Sequence, residues 1–232
     1  MRKDKIIVDA SGYLLATILT QFITLIAGIL TRRFLGPLQM GVWTLLQMIL
    51  TYSTYTSIGV MDAVGREIPF CLGKGDNERS DKIKNLGFSF SMTVTVITML
   101  GILVYAFWYR AHLQKEIFYG LLFISVILFL QKLSDLYIAF LRSYQFFAIA
   151  SKQMIWSAIV NGLLVAILSW RFRIFGFMWA MCISFIFNIL YMVSRKQFYF
   201  KFYLNRAQLW SLIQYGLPLM IIGLFGTFFF ND

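Results

Sequence analysis

Near its start the chain carries two apolar runs, SGYLLATILTQFITLIAGIL at residues 11–30 and GVWTLLQMILTYSTYTSIGVM at residues 41–61, joined by the basic stretch TRRFLGPLQM. An α-helix needs about 20 mostly apolar residues to cross the hydrocarbon core of a bilayer. Backbone polar groups in lipid must be satisfied within the segment, so apolar runs of this length indicate helices. The two runs therefore predict a pair of membrane-spanning helices joined by a short turn.

Five further runs of the same kind follow, at residues 86–108, 117–140, 153–170, 174–193 and 210–230. The 232-residue chain is 59% hydrophobic and only 13% charged, which is far from the composition of a soluble domain. The first run is too long for the core of a signal peptide, so we expect it to be retained. We predict an all-α polytopic membrane protein with about seven transmembrane helices and no room for a separate catalytic domain.

Basic residues are distributed unevenly among the connections between these runs. The N-terminus and the second, fourth and sixth connections carry 14 Lys and Arg residues, whereas the first, third and fifth carry 6. Basic residues concentrate on the cytoplasmic side, so we expect a cytoplasmic N-terminus. The longest connection, residues 62–85, is predicted to be a charged cytoplasmic loop. The net charge of +11 comes from these clusters and forms no basic stripe, which argues against a nucleic-acid partner.

Residues that would support catalysis or metal binding are scarce in this sequence. There is one histidine, His112, and two isolated cysteines, Cys71 and Cys182, which we expect to be free thiols. No catalytic triad or metal-ligand cluster can be assembled from them. The Gly73-Lys74-Gly75 segment lacks the spacing of a phosphate-binding loop. We therefore predict a protein that is not an enzyme and has no cofactor, no metal site and no catalytic residues.

Polar side chains recur at helical spacing in five of the apolar runs. The first run, for example, has Thr17, Thr20, Gln21 and Thr24 at i, i+3, i+4 and i+7. A single Ser or Thr usually bonds back to its own helix or ties two helices together. The larger amides are harder to attribute to packing, and five inward-facing stripes would enclose a hydrated cavity. The candidate substrate-binding amides are Gln21, Gln47, Asn161 and Asn188.

Two charges, Lys132 and Asp135, lie at i and i+3 inside the fourth apolar run. Each charge would cost about 2.5–3.5 kcal/mol at the centre of a transmembrane helix, so we expect both to face the interior and to approach each other. One interpretation is a structural ion pair that extends towards the membrane interface. The other is a site for an anionic substrate, with Asp135 as the candidate carrier of a coupling ion.

A longer pattern resembles a known family. Residues 32–85 open on RRFLGPLQMGVW and are similar to the start of the Wzx-type polysaccharide transporters of the multidrug/oligosaccharidyl-lipid/polysaccharide superfamily, whose turn into the second helix has the pattern R-x-L-G-P-x-x-Y-G-x-W. The matching residues are Arg33, Leu35, Gly36, Pro37, Gly41 and Trp43, with Met40 in place of the usual aromatic residue. Residues 213–232, IQYGLPLMIIGLFGTFFFND, resemble the seventh helix of that family.

The resemblance implies a six-helix N-terminal lobe over residues 1–205 and the first helix of a second lobe over residues 206–232, and we expect the chain to be incomplete. The implied function is a flippase of the bacterial inner membrane. It would move an undecaprenyl-pyrophosphate-linked sugar repeat for O-antigen, capsule or exopolysaccharide by alternating access, driven by an ion gradient. The implied partners are this lipid-linked oligosaccharide and membrane lipids, with polysaccharide polymerase and chain-length proteins as further candidates.

Other functions remain open at this point. A multidrug or cation antiporter of the same superfamily is the nearest alternative, because only the turn motif separates it from the flippases. A membrane-embedded glycan polymerase or acyltransferase would be expected to carry a long soluble loop or a cluster of His, Asp or Arg residues at the membrane surface. The sequence shows neither feature.

Overall fold

The computed structural model describes the backbone of residues 3–196 and 198–230 and the side-chain environment of residues 12–196 and 198–222. In this part of the chain there are six α-helices and no strand, which confirms the predicted all-α polytopic fold. The helices are α1 (Lys3–Thr54), α2 (Val60–Gly73), α3 (Asn77–Trp108), α4 (Lys115–Ser143), α5 (Phe147–Arg195) and α6 (Arg206–Phe230). A single turn of 3₁₀-helix, Tyr55–Ser57, follows α1.

The two longest helices are each interrupted once. Gly36 (φ 72°) divides the 52 residues of α1 into α1a (3–35) and α1b (37–54). Arg173 (φ 53°) divides the 49 residues of α5 into α5a (147–172) and α5b (174–195). Pro37 follows the break in α1, and proline is well tolerated at the first position of a helix. The family-like turn motif therefore coincides with a break in the helix.

Helix α5 folds back on itself at its break, and this turn contacts the start of α1b. Side-chain hydrogen bonds join α5a to α5b in antiparallel order, Ser157 to Asn188 and Asn161 to Ser184. At the turns, Gln39 Oε1 accepts a hydrogen bond from the backbone N–H of Ile174 at 3.3 Å. We call this end of the bundle the far end.

The opposite end, the near end, holds the start of α3, the end of α4 and the segment that follows α5. Ser80 contacts Tyr144 there, and the N–H of Lys201 donates to Asn85. The connections for which the sequence predicts a cytoplasmic location thus share one end of the bundle.

Four helical stretches in the described residues are long and apolar enough to cross a membrane: Gly12–Ser57, Asn77–Trp108, Lys115–Ser143 and Phe147–Arg195. The first contains 46 residues and the last 49. At a rise of about 1.5 Å per residue, each is more than twice the thickness of a bilayer core, so each can cross twice around its break. The first six predicted spans lie within these four stretches, and their individual crossings stay predictions.

The structure corrects the prediction of a loop over residues 62–85. The second apolar run ends as a helix at Thr54, and α2 then forms from Val60 to Gly73. One face of α2 is buried against α3, α4 and α6, and this face contains Val60, Ala63, Val64, Ile68 and Cys71. Charged residues on its other face interrupt the apolar sequence, so no continuous apolar run indicates this helix.

The start of α3 is fixed by local capping. Asp76 precedes the helix and its carboxylate accepts a hydrogen bond from the N–H of Arg79 at 3.0 Å. Gly75 adopts φ 78°, a conformation that favours glycine. Helix α3 therefore begins nine residues before the predicted span at residue 86.

The segment from Lys196 to Asn205 leads from α5 to α6 without regular structure wherever it is described. Asn205 caps α6 by accepting hydrogen bonds from the N–H groups of Ala207 and Gln208. Helix α6 packs on α2 through two glycines, since a Cβ atom at Gly59 or at Gly216 would collide with the backbone carbonyl of the other. The division into two lobes at residue 205 stays a prediction, although α6 begins at Arg206.

Candidate substrate cleft

An open cleft of about 820 Å³ lies between α2, α4 and α6 towards the near end of the bundle. Its volume is within the range of about 300–1,000 Å³ that is usual for small-molecule sites. Leu219 and Ile222 of α6 supply an apolar wall opposite the charged residues of α2 and α4. The cleft therefore combines charged and apolar side chains in its lining.

One face of α4 carries three of the charges. The cleft is lined on this face by residues at i, i+3, i+7 and i+10, which are Lys132, Asp135, Ala139 and Arg142. Because α4 extends to Ser143, Lys132 lies only three residues, about 4.5 Å along the axis, from the middle of the helix.

The exposed face of α2 supplies two further charges, Asp62 and Arg66. Asp62 is in the first turn of α2, where the helix dipole favours a negative charge. The cleft thus collects three basic and two acidic side chains from two helices, for a net charge of one positive unit.

The charged side chains line the same cleft but, among the described residues, form no ion pair with one another. The three ion pairs within 4.0 Å among the described residues are Arg79–Glu67, Lys82–Glu78 and Lys84–Asp81, all outside the cleft. The expected direct pairing of Lys132 with Asp135 is not observed within the described part of the chain, and Asp62 lines the same cleft. Asp135 lines the cleft together with Lys132 and Arg142. Its side chain is exposed to the cleft.

A small pocket bordered by hydroxyl groups adjoins the cleft at Lys132 and Asp135, which line both cavities. The pocket has about 10 Å³ of free space, room for about one water molecule. Five hydroxyl groups of α1b, the turn after it and α3 border it, and each donates its proton to a nearby backbone carbonyl. These residues are Ser53, Thr54, Thr56, Thr95 and Thr98. Their oxygen lone pairs remain available to a cation or water in the pocket.

The remaining predicted substrate-binding residues lie elsewhere. Asn188 is buried and its Nδ2 donates to Ser157 Oγ at 2.7 Å, while Asn161 Oδ1 accepts from Ser184 Oγ at 3.3 Å. Both amides therefore tie α5a to α5b. Gln21 and Gln47 are exposed on α1a and α1b. Substrate binding by these four amides stays a prediction, and within the described residues none of them lines the cleft.

The sequence pattern missed Asp62, Arg66 and Arg142 as cleft residues. Arg142 lies three turns after Lys132 on the same face of α4, so extending the i, i+3 spacing of Lys132 and Asp135 would have found it. Asp62 and Arg66 are four residues apart, but this spacing has meaning only once α2 is known to be a helix.

Comparisons with known proteins agree with this architecture. The sequence model of the family described as "Polysaccharide biosynthesis protein" matches residues 7–231. A search of curated protein sequences finds no match.

Solved structures share the fold at low sequence identity. A MATE transporter in complex with MaD5 matches with a TM-score of 0.72 and 17% identity, over 92% of this chain and 52% of that chain. A transporter of the MOP superfamily from Pyrococcus furiosus gives a TM-score of 0.68 at 17% identity, over 92% and 51%. An outward-facing multidrug resistance MATE transporter gives 0.69 at the same identity and coverage. The chain spans about half the length of these transporters.

Proposed function

Because the chain belongs to the polysaccharide biosynthesis protein family, we propose that it acts in a flippase that moves a lipid-linked oligosaccharide across the bacterial inner membrane. The substrate would be an undecaprenyl-pyrophosphate-linked sugar repeat for O-antigen, capsule or exopolysaccharide. The transporter fold that the chain shares with solved MOP-superfamily proteins supports this proposal at the level of transport.

The observation that carries the proposal is the set of three basic side chains in one cleft. Among the residues that the structure describes, Lys132, Arg66 and Arg142 form no ion pair within 4.0 Å, which leaves their charges available to a ligand. Guanidinium groups bind phosphate oxygens through two parallel hydrogen bonds, and an ammonium adds a point charge. A pyrophosphate group would meet all three cations in this cleft while its lipid tail stays in the membrane.

Transport would proceed by alternating access. The chain spans about half of the matched transporters, and in transporters built from two repeats the substrate site lies between the repeats. The cleft beside α6 is placed for such a role, because α6 resembles the first helix of a second lobe. Rocking of the two lobes would then expose the cleft to each side of the membrane in turn.

Asp135 is the proposed carrier of the coupling ion. It lines both the cleft and the small hydroxyl-bordered pocket, so an ion held there would contact the substrate site directly. A carboxylate inside a membrane helix is energetically costly and commonly marks an ion pathway. Protonation or cation binding at Asp135 would change the net charge of the cleft by one unit.

A second candidate, a multidrug or cation antiporter, is favoured by the two carboxylates in the same cleft, Asp62 and Asp135. A cationic drug would bind these acids and be repelled by the bases. The two functions therefore depend on opposite charges, and this difference provides a test.

The test compares three variants in cells whose own copy of the gene is deleted. Arg142→Gln removes a basic group from the cleft, Asp62→Asn removes an acidic one, and Arg195→Gln removes an exposed arginine at the near end outside the cleft. Surface glycan and efflux of a cationic dye are measured beside the amount of protein in the membrane. Arg142→Gln should reduce glycan export at least tenfold, because a hydrogen bond to a charged group contributes about 1.5–3 kcal/mol.

Each outcome of this test has a defined meaning. Arg195→Gln should export glycan as the wild type does. Loss of dye efflux in Asp62→Asn, together with unchanged glycan export in Arg142→Gln, would contradict the flippase and support the antiporter.

A further inference from the structure

A second charged cavity, separate from the substrate cleft, lies at the near end of the bundle. It has a volume of about 420 Å³ and is formed by the start of α3, the turn between α4 and α5, and the segment after α5. It shares no residue with the cleft. We call it the interface pocket, and its charged residues are Asp81, Lys84, Lys196 and Lys201.

The charges of the interface pocket do not balance. Asp81 already binds Lys84, whose side chain is 9% exposed, with Nζ 2.7 Å from Oδ1. The same carboxylate oxygen accepts a hydrogen bond from the hydroxyl of Tyr144 at 3.3 Å. Lys196 and Lys201 take part in none of the ion pairs found among the described residues. Within the described part of the chain, two positive charges in a concave site therefore have no acidic partner within 4.0 Å.

The pocket is built before any ligand arrives, because the segment after α5 is anchored to α3. Asn85 Oδ1 accepts from the N–H of Lys201 at 3.1 Å, and Ser89 Oγ accepts from the N–H of Tyr203 at 2.9 Å. Phe200 stacks on Phe88 with 4.1 Å between ring centroids. These contacts hold the backbone of Lys201 in place at the edge of the pocket.

Aromatic groups complete the walls. The Nζ of Lys196 lies 4.5 Å from the centroid of the Phe146 ring, which orients its ammonium group. The hydroxyl of Tyr144 accepts from Ser80 and donates to Asp81, and burial raises its pKa, so it stays protonated at neutral pH. Aromatic and basic side chains together are typical of protein surfaces at the level of lipid headgroups.

We propose that the interface pocket binds the phosphate group of an anionic phospholipid from the leaflet at the near end, between Lys196 and Lys201. The uneven distribution of basic residues predicts that this end faces the cytoplasm, where anionic lipids attract basic sites beside transmembrane helices. A bound phosphate would cancel the two unpaired charges. It would also hold the segment that connects α5 to α6, because both lysines belong to that segment.

The experiment uses the purified protein in a neutral detergent and follows its melting temperature during titration with short-chain phosphatidylglycerol. Phosphatidylcholine with the same chains and inorganic phosphate are titrated in parallel. The variant Lys196→Gln/Lys201→Gln removes the two pocket charges. Its matched control, Lys74→Gln/Lys152→Gln, removes two exposed lysines at the same end, one of which also lies over an aromatic ring, that of Phe70.

Phosphatidylglycerol should raise the melting temperature of the wild type and of the control variant. The apparent Kd of the pocket variant should be weaker by about thirtyfold, since each basic residue near an anionic surface contributes a factor of about five. Its melting temperature without lipid should match that of the wild type. Equal stabilisation by phosphatidylcholine, equal losses in both variants or no loss in either would overturn the proposal. An equal shift with inorganic phosphate alone would reject a lipid as the source.

Discussion

Two regions of the bundle place polar side chains inside apolar helices, and they use them in opposite ways. In α5 the amides of Asn161 and Asn188 meet the hydroxyls of Ser184 and Ser157 across the fold-back at Arg173, and all four groups are hydrogen-bonded. In the cleft, the charges on α2 and α4 face open space and form no ion pair within 4.0 Å with any side chain in the described part of the chain. The polar groups of the first region join α5a to α5b, whereas those of the second region remain available for a ligand.

The difference shows that the role of a polar residue inside an apolar helix depends less on its type than on the side chains around it. Asn188 and Lys132 are both expensive to place in lipid. Asn188 has a partner on the facing helix segment, so removing it should reduce stability. Lys132 faces a cavity, so its removal should reduce transport instead.

The largest expected effect belongs to the cleft. The double variant Lys132→Met/Asp135→Leu should accumulate normally in the membrane, because apolar side chains are inexpensive in a transmembrane helix and, among the described residues, neither charge forms an ion pair within 4.0 Å. Glycan export should fall about a hundredfold, since two charged contacts of about 1.5 kcal/mol each would be lost. Export and protein amount are measured in cells that lack the wild-type gene.

A charge-swap variant serves as the control for that experiment. Lys132→Asp/Asp135→Lys keeps both charges and moves each by less than one helical turn. It should rescue a purely structural role more readily than a binding role. Normal export by the double-neutral variant at normal abundance would show that neither residue is required.

The second prediction concerns the contact that places α6 beside the cleft. Gly216→Val would force a side chain into the backbone of Gly59 and should cost about 2–3 kcal/mol or displace α6. Gly101→Val in α3 is the control, because no heavy atom lies within 4 Å of the position of its Cβ. Melting temperatures of the purified variants measure the difference. Equal melting temperatures would contradict the observed glycine contact.

The third prediction concerns the hydrogen-bonded region between α5a and α5b. Asn188→Leu leaves the hydroxyl of Ser157 without its partner and should destabilise the protein by about 1–2 kcal/mol. The double variant Ser157→Ala/Asn188→Leu should recover most of that loss, because both polar groups are then absent. Export per molecule should stay at the wild-type level in both. If export per molecule falls tenfold in either variant, Asn188 has a role in transport after all.

The smallest effect concerns Cys71, a native thiol at the near end. It is buried, and burial raises the pKa of its thiol, so little reactive thiolate is present at neutral pH. A membrane-impermeant thiol reagent should therefore label Cys71 slowly, whereas a cysteine at exposed position 74, in Lys74→Cys, should react quickly. Reaction of Lys74→Cys in inside-out vesicles but not in intact cells would support the predicted orientation. The reverse would overturn it.

Much of the fold follows from apolar runs alone, because lipid imposes one rule on every backbone group that crosses it. That rule predicted the all-α polytopic fold, and the short connection between the first two apolar runs contains the break at Gly36. It does not apply to α2, which lies at the near end and buries only one face. No continuous apolar run in the sequence therefore indicates α2.

The candidate site was predictable only in part. The spacing of Lys132 and Asp135 identified the correct face of α4, since charges inside an apolar helix are costly unless they face a cavity or a partner. Asp62 and Arg66 join them through the packing of α2 against α4, which no local pattern encodes. The partners of Asn161 and Asn188 likewise depend on the turn at Arg173, a residue type that rarely adopts a positive φ.

The central claim is that the cleft is an open, cation-lined site for a phosphate-bearing lipid, whereas the α5 pair is closed. The most direct measurement compares two single-cysteine proteins, Ala139→Cys in the cleft and Ser184→Cys in α5, after replacement of Cys71 and Cys182. We predict that an anionic thiol reagent labels Ala139→Cys but not Ser184→Cys. Ala139→Cys should react faster with the anionic reagent than with a cationic reagent of the same size. Undecaprenyl pyrophosphate should slow the reaction of Ala139→Cys. An unreactive Ala139→Cys, or a reaction that undecaprenyl pyrophosphate leaves unchanged, would contradict the account.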